Sequence, residues 1–150
     1  MSKDGIVPEI KEKMIHKVVR VDRTRTPQET LKATGRSLYA DNESIINTMP
    51  RGESDEVEVI FFQVGRVLTH EDLAQEFNLR GLKPADSYSQ AKANEDDPIF
   101  AEEHPNGTHW EHNGKWCFST FDVWDGEQVV DVSCSGRGWL ESWWFAGIRK

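Results

Sequence analysis

No tryptophan occurs in the first 109 residues of this chain, cysteine occurs only twice, and no apolar run approaches ~18 residues. The missing apolar run excludes a membrane-spanning helix. Met1 to Ile10 lacks the apolar region and small-residue cleavage site of a secretory signal, so a cytoplasmic location is the default expectation. Cys117 and Cys134 are too few for the disulfide framework of a small secreted scaffold, and neither CxxC nor zinc-finger spacing is present. The expected state is two reduced, buried thiols. They lie on successive expected strands, so a bridge stays open as the alternative. HExxH, the EF-hand loop, GxSxG, the P-loop and GxGxxG are also missing, so no metal, acyl-transfer or nucleotide chemistry is announced and no cofactor is implied.

What is present fits a soluble globular protein. The 150 residues suffice for one domain with a real core, at 37% hydrophobic and 29% charged residues. The net charge of −8 disfavours nonspecific nucleic-acid binding over the whole surface. That charge is uneven. Met1 to Arg36 holds 9 Lys/Arg against 5 Asp/Glu, and the remainder holds 9 against 21. A basic end and an acidic body can attract one another within or between molecules, which hints at a homodimer. The plainer reading is a solvated surface.

Residues 1–13 read as an N-terminal arm and residues 14–150 as a single domain. His16 to Asp22 is a short strand candidate. Thr26-Pro27-Gln28-Glu29 combines an N-cap, a first-turn proline and a capping-box glutamate, and Gly35 stops that helix. A second helix runs from Asn42 to Met49, capped by Asp41 and ended by Pro50. Glu56 to Val64 alternates and then becomes fully apolar at Ile60-Phe61-Phe62, as in a strand covered on both faces. Thr69 opens a helix with Leu73 and Phe77 on one face and Gly81 after it. Ser87-Tyr88-Ser89-Gln90 reads as another capping box, with its helix ending near Asp96. Asp97-Pro98 restarts a short turn to Glu103.

The six tryptophans all fall after residue 109: Trp110, Trp116, Trp124, Trp139, Trp143 and Trp144. Asn113-Gly114 and Asp125-Gly126 signal primed hairpin turns between strands at His109–Glu111, Lys115–Trp124 and Gln128–Cys134. With a last strand over Trp139–Ile148 they make a Trp-rich four-stranded meander. The fold class is α+β, with short helices packed on a mainly antiparallel sheet and Glu56 to Val64 as an added central strand. The Val130 side of its strand should face the core. On the last strand Trp139, Glu141, Trp143 and Phe145 share a face. If that face is open, these residues with Arg137 would stack and hydrogen-bond a planar polar ligand. The plainer reading is that the rings fill the core.

Three further clusters invite weighing. His104, His109 and His112 lie in a His/Glu-rich stretch that suits a metal by residue type but not by spacing. Six acids without a Lys or Arg between Ala93 and Gly114 read as a solvated face. Arg20, Arg23 and Arg25 sit at a strand–helix junction where they would meet phosphate or a partner, although a salt-bridged surface is the plainer reading.

RTPQETLKATGR, LRGLKPADSYSQAKANEDDP, HPNGTHW, GKWCF and WWFAGIRK together resemble a group of bacterial proteins of unknown function, over most of the chain from about Val18. The resemblance implies a bacterial single-domain protein and brings no activity, cofactor or catalytic residue with it. The residues by themselves favour a non-enzymatic module that binds a small polar ligand or a partner protein through an aromatic sheet face, with an edge strand such as Trp139–Ile148 available for a two-fold pairing. The alternatives are a small metal-dependent hydrolase centred on His104, His109 and His112, and a nucleic-acid binder using the basic N-terminal segment.

Overall fold

The Thr26 side chain accepts the Glu29 amide while the Glu29 carboxylate accepts the Thr26 amide, which closes the capping box at the start of α1 (Pro27–Lys32). The same exchange between Thr69 and Asp72 starts α3 (His70–Leu79). Between them lies α2 (Glu43–Ile46), and α4 (Ser87–Asp96) and α5 (Phe100–Glu103) follow. The computed structural model describes residues 13–40 and 42–150. All of the expected N-terminal arm except Lys13, and the expected cap Asp41, lie outside the described residues. The cap of α4 falls one residue earlier than its sequence suggests. Asp86, not Ser87, accepts the Ser89 amide, and its carboxylate also meets the half-buried Arg23.

The described strands form a single mixed sheet of eight, most of whose pairings are antiparallel. β1 (Ile15–Arg20), β3 (Glu56–Gln63) and β8 (Trp144–Arg149) lie side by side and continue into β5 (Asn106–His112), β6 (Lys115–Trp124) and β7 (Glu127–Cys134). The two-residue β2 (Ser37–Leu38) closes the far edge, and β4 (Leu82–Pro84) pairs with the end of β8. Both hairpin turns place their central residues at positive φ: 51° and 74° at Asn113-Gly114, 50° and 78° at Asp125-Gly126. β5 to β7 are therefore a meander. The fourth C-terminal strand returns beside the first, running parallel to β5 and antiparallel to β3.

The sheet is covered on both faces, which explains the continuous apolar run of β3. Val59 and Phe61 join the core under α1, α2, α4 and α5, with Phe121, Val130, Val132 and Ala146. Ile60 and Phe62 join a second core with Leu73 and Phe77 of α3, Leu68, Trp139 and Phe145. As expected, Val130 faces core. At ~25 cal/mol per Å² these two apolar interfaces are the main favourable term of the fold.

Three expectations need correction. The last strand begins at Trp144 rather than Trp139. Residues before it form a loop whose one bridge joins Trp139 to Leu68, a loop residue between β3 and α3. Because β8 is hydrogen-bonded on both sides, it offers no edge for a two-fold pairing. The cysteines are not reduced thiols. Cys117 and Cys134 stand directly opposite one another on β6 and β7 and are joined by a disulfide. No helix among the described residues is long and apolar enough to cross a membrane.

Candidate functional site

β5 and β8 pair only over Asn106–Trp144 and Gly107–Phe145. Beyond that point β8 exchanges partners and pairs with β4 through Leu82, Lys83 and Pro84. The sheet therefore splits, and a cleft of about 750 Å³ opens at the split. One wall is the β5–β6 hairpin, with His109, Trp110, Glu111 and Trp116. The other comes from the start of β3, from β4 and from the end of β8. The 50–54 loop and Arg23 close one end. The volume lies within the range of small-molecule sites.

His109 is 3% exposed and forms part of a buried pair. Its Nδ1 lies 3.0 Å from Nδ1 of His70, which is 1% exposed. The partners fix the tautomers. His70 Nε2 lies 3.1 Å from the Ser135 carbonyl oxygen, which can only accept, so Nε2 carries the proton. Nδ1 of neutral His70 is then an acceptor, and His109 Nδ1–H donates to it. Trp139 Nε1–H approaches the same nitrogen at 3.4 Å. His109 is left with a lone pair on Nε2, and that atom is buried with no hydrogen-bond partner among the described residues. Trp116 lies flat over both rings, with centroids 4.3 Å from His109 and 5.2 Å from His70. Its Nε1–H donates to the Glu71 carboxylate at 2.9 Å, which holds that carboxyl below its usual range.

Burial pushes the His109 pKa down to about 3, and the neighbouring His70 adds to the effect. Burial also lowers the pKa of His70. Both rings are therefore neutral at pH 7. A base so far from neutrality is a poor proton acceptor in catalysis but a sound hydrogen-bond acceptor. The linkage has a definite sign. Unfolded histidine binds its proton near pH 6.5, so the unfolded chain takes up more protons than the folded one between pH 6.5 and about 3. Stability is unpenalised above that window and falls as pH falls through it. For His109 alone the expected loss between pH 7 and pH 5 is about 2 kcal/mol. Urea unfolding of the wild type and of His109→Phe at both pH values checks this: the variant should lose much of the difference, and an unchanged difference would assign it to other groups.

The remaining cleft is charged. Glu53, Glu56, Glu58, Asp86 and Glu111 face Arg23, Lys83 and Arg149. Arg23 is bound to Asp86 at 2.7 Å and Arg149 to Glu58 at 3.1 Å. Among the described residues Glu53 and Glu111 pair with no cation. The local balance is thus negative, as is that of the whole chain.

The aromatic candidates divide. Trp139 and Phe145, 4% and 1% exposed, belong to the core with α3. Trp143 is half-buried, packing edge-on against Trp139 at 5.7 Å. Arg137 and Glu141 are exposed. A groove of about 190 Å³ does run beside Trp143, Trp139, Trp124 and Phe118 with Arg137 and Asp131, and Glu141 lies outside it.

The histidine cluster is dispersed. His104 stacks on Phe100, His109 is in the buried pair, and His112 is exposed at the hairpin end. No three His, Cys, Asp or Glu among the described residues converge as metal ligands. The basic stretch is likewise spent on acids. Arg20 lies near Glu56, the half-buried Arg23 binds Asp86, and Arg25 binds Glu95 at 2.9 Å. The expectation missed His70, although it lies three and seven residues before Leu73 and Phe77, on the buried stripe of α3. Comparison of the chain with protein families, curated proteins and solved structures finds no match.

Proposed function

We propose that the protein is a small non-enzymatic binding module whose ligand, a compact polar amine, sits in the split-sheet cleft. The observation that carries this reading is His109 Nε2, a buried acceptor without a partner on a residue that lines the 750 Å³ cleft. A buried polar atom without a hydrogen bond costs about 1–3 kcal/mol, which a ligand N–H would recover. The surplus of carboxylates favours a cation over an anion, and the depressed pKa of His109 keeps its lone pair free for a donor. Trp116 lies flat over the pair, with its N–H held by the Glu71 carboxylate. Of the observations that bear on location, the Cys117–Cys134 bond fits an oxidising compartment better than the cytoplasm.

The test is titration of the full chain with 1,4-diaminobutane and with the uncharged 1,4-butanediol, read by tryptophan fluorescence. The diamine should saturate and bind at least ~10-fold more tightly than the diol, and His109→Phe should weaken it by ~10-fold. The absence of a saturable response, or an unchanged affinity in the variant, would refute the cleft reading. A second reading retains the aromatic groove, because Trp124 is 38% exposed and Trp143 half-buried beside Arg137. Its volume suits a single planar ring. If Trp143→Ala, and not His109→Phe, abolished binding in the same titration, the groove would replace the cleft as the site.

A further inference from the structure

Arg36 carries a buried charge with no carboxylate of the described chain at ion-pair distance; Asp122 and Glu102 act on it only from farther off and offset its burial in part. The residue is 8% exposed. One Nη donates to the carbonyl oxygens of Asp122 at 2.9 Å and Val129 at 3.3 Å, and the other to that of Pro98 at 3.1 Å. The guanidinium lies 5.6 Å from the Phe121 ring centroid. These are dipoles and a ring face, not anions, and among the described residues no carboxylate oxygen reaches ion-pair distance. The Nε–H is buried without an acceptor. With His109 Nε2 of the cleft, it is one of the two unpartnered buried side-chain atoms among the described residues.

Arg36 lines a recess of about 200 Å³ far along the sheet from the cleft, between α1, α2 and the β2–β7 edge. Leu31, Ile46 and Val130 give it an apolar floor, and Leu38 and Lys32 stand exposed on its rim. Lys32 also makes no ion pair among the described residues. A buried cation is ordinarily paired, since desolvation removes water's share of its stabilisation. Here that desolvation lowers the Arg36 pKa. A guanidinium N–H presented toward a carboxylate would restore both the hydrogen bond and the charge balance, and the planar guanidinium suits that geometry.

We propose that this recess is a second binding site, for a small free carboxylate with a compact apolar body. The carboxylate neutralises Arg36 with help from Lys32, and the apolar body rests on Leu31, Ile46 and Val130. The chemistry is opposite in sign to that of the cleft, so the two sites stand or fall independently.

The probe is benzoate, with neutral benzamide and inorganic phosphate as comparisons, added to the full 15N-labelled chain. The readout is the Arg36 Nε–H resonance, which requires no variant at Arg36 and so does not depend on whether such a variant folds. Benzoate should shift that resonance saturably and bind at least ~10-fold more tightly than benzamide. Lys32→Ala, a change at an exposed position, should weaken benzoate several-fold and lessen its salt dependence. Equal binding of benzoate and benzamide would overturn the anion assignment. Tighter binding of phosphate than of benzoate would overturn the apolar body. An Arg36 Nε–H that stays fixed at millimolar benzoate would overturn the site altogether.

Discussion

Asp86→Ala is expected to destabilise the protein by about 3–5 kcal/mol, with the loss visible as a lower urea midpoint at pH 7. Asp86 performs two tasks with one carboxylate. It accepts the Ser89 amide and hydroxyl, both at 2.8 Å, and so caps α4. It also holds the Arg23 guanidinium at 2.7 Å, with side chains 7% and 11% exposed. Arg23 is otherwise bound by the Arg51 and Ser54 carbonyls, which cannot neutralise it. Removing the acid strands a buried charge and uncaps a helix. The cap alone is worth ~1 kcal/mol, so most of the expected loss belongs to the stranded arginine. Asp86→Asn keeps an acceptor for the cap and should fall between the two. Replacing both partners, as Arg23→Met with Asp86→Leu, should recover part of the loss, because a buried pair is often replaceable by apolar side chains although neither member is dispensable alone. A wild-type midpoint in Asp86→Ala would show that water reaches Arg23 and that the pair is a surface contact.

Trp139→Ala should cost a similar ~3–5 kcal/mol. The indole is the hinge on which the second core closes. It packs edge-on against Phe145, Trp143 and Phe118 at 5.3, 5.7 and 5.8 Å. Its backbone bridges to Leu68 in both directions, and its N–H approaches His70. The ring also lies so close over Gly107 that a Cβ there would stand 2.5 Å from it. Gly107→Ala should therefore be destabilising in the wild type and much less so in a Trp139→Ala background. That coupling is measurable by a double-mutant cycle from urea unfolding. Additive losses would mean that the indole moves aside freely. The result separates two roles for this ring: a core side chain changes stability in this pattern, whereas a ligand platform would change affinity and leave the cycle flat.

The same residues show which parts of the fold could be read locally. The capping boxes at Thr26 and Thr69 and the primed turns at Asn113-Gly114 and Asp125-Gly126 are where the residues place them. Each is decided within four residues by hydrogen bonds and φ preferences that need no distant partner. The α+β class and the doubly covered β3 follow from hydrophobic periodicity in the same way. α4 was legible in its bounds but not in its burial. Gln90 and Asn94 are fully buried and hydrogen-bond to Asn106 and Ser119, so a polar helix sits inside the molecule. Polar side chains signal solvent unless their partners are known, and these partners are 12 to 29 residues away.

Residue order thus determined the helix starts at Thr26 and Thr69, the hairpins, the aromatic sheet and the acidic balance, because each depends on neighbours in the chain or on a simple sum. Tertiary structure alone decided the rest. The return of β8 beside β5 placed Trp139 and Phe145 in the core instead of on an open face. The exchange of β5 for β4 as its partner opened the cleft. The register of β6 on β7 set Cys117 against Cys134. The packing of α3 on the sheet brought His70 to His109 across 39 residues, leaving one nitrogen of the pair without a partner. Such outcomes turn on strand order and on which face each layer covers, and those are settled by competition among whole buried surfaces, not by the preferences of any one segment.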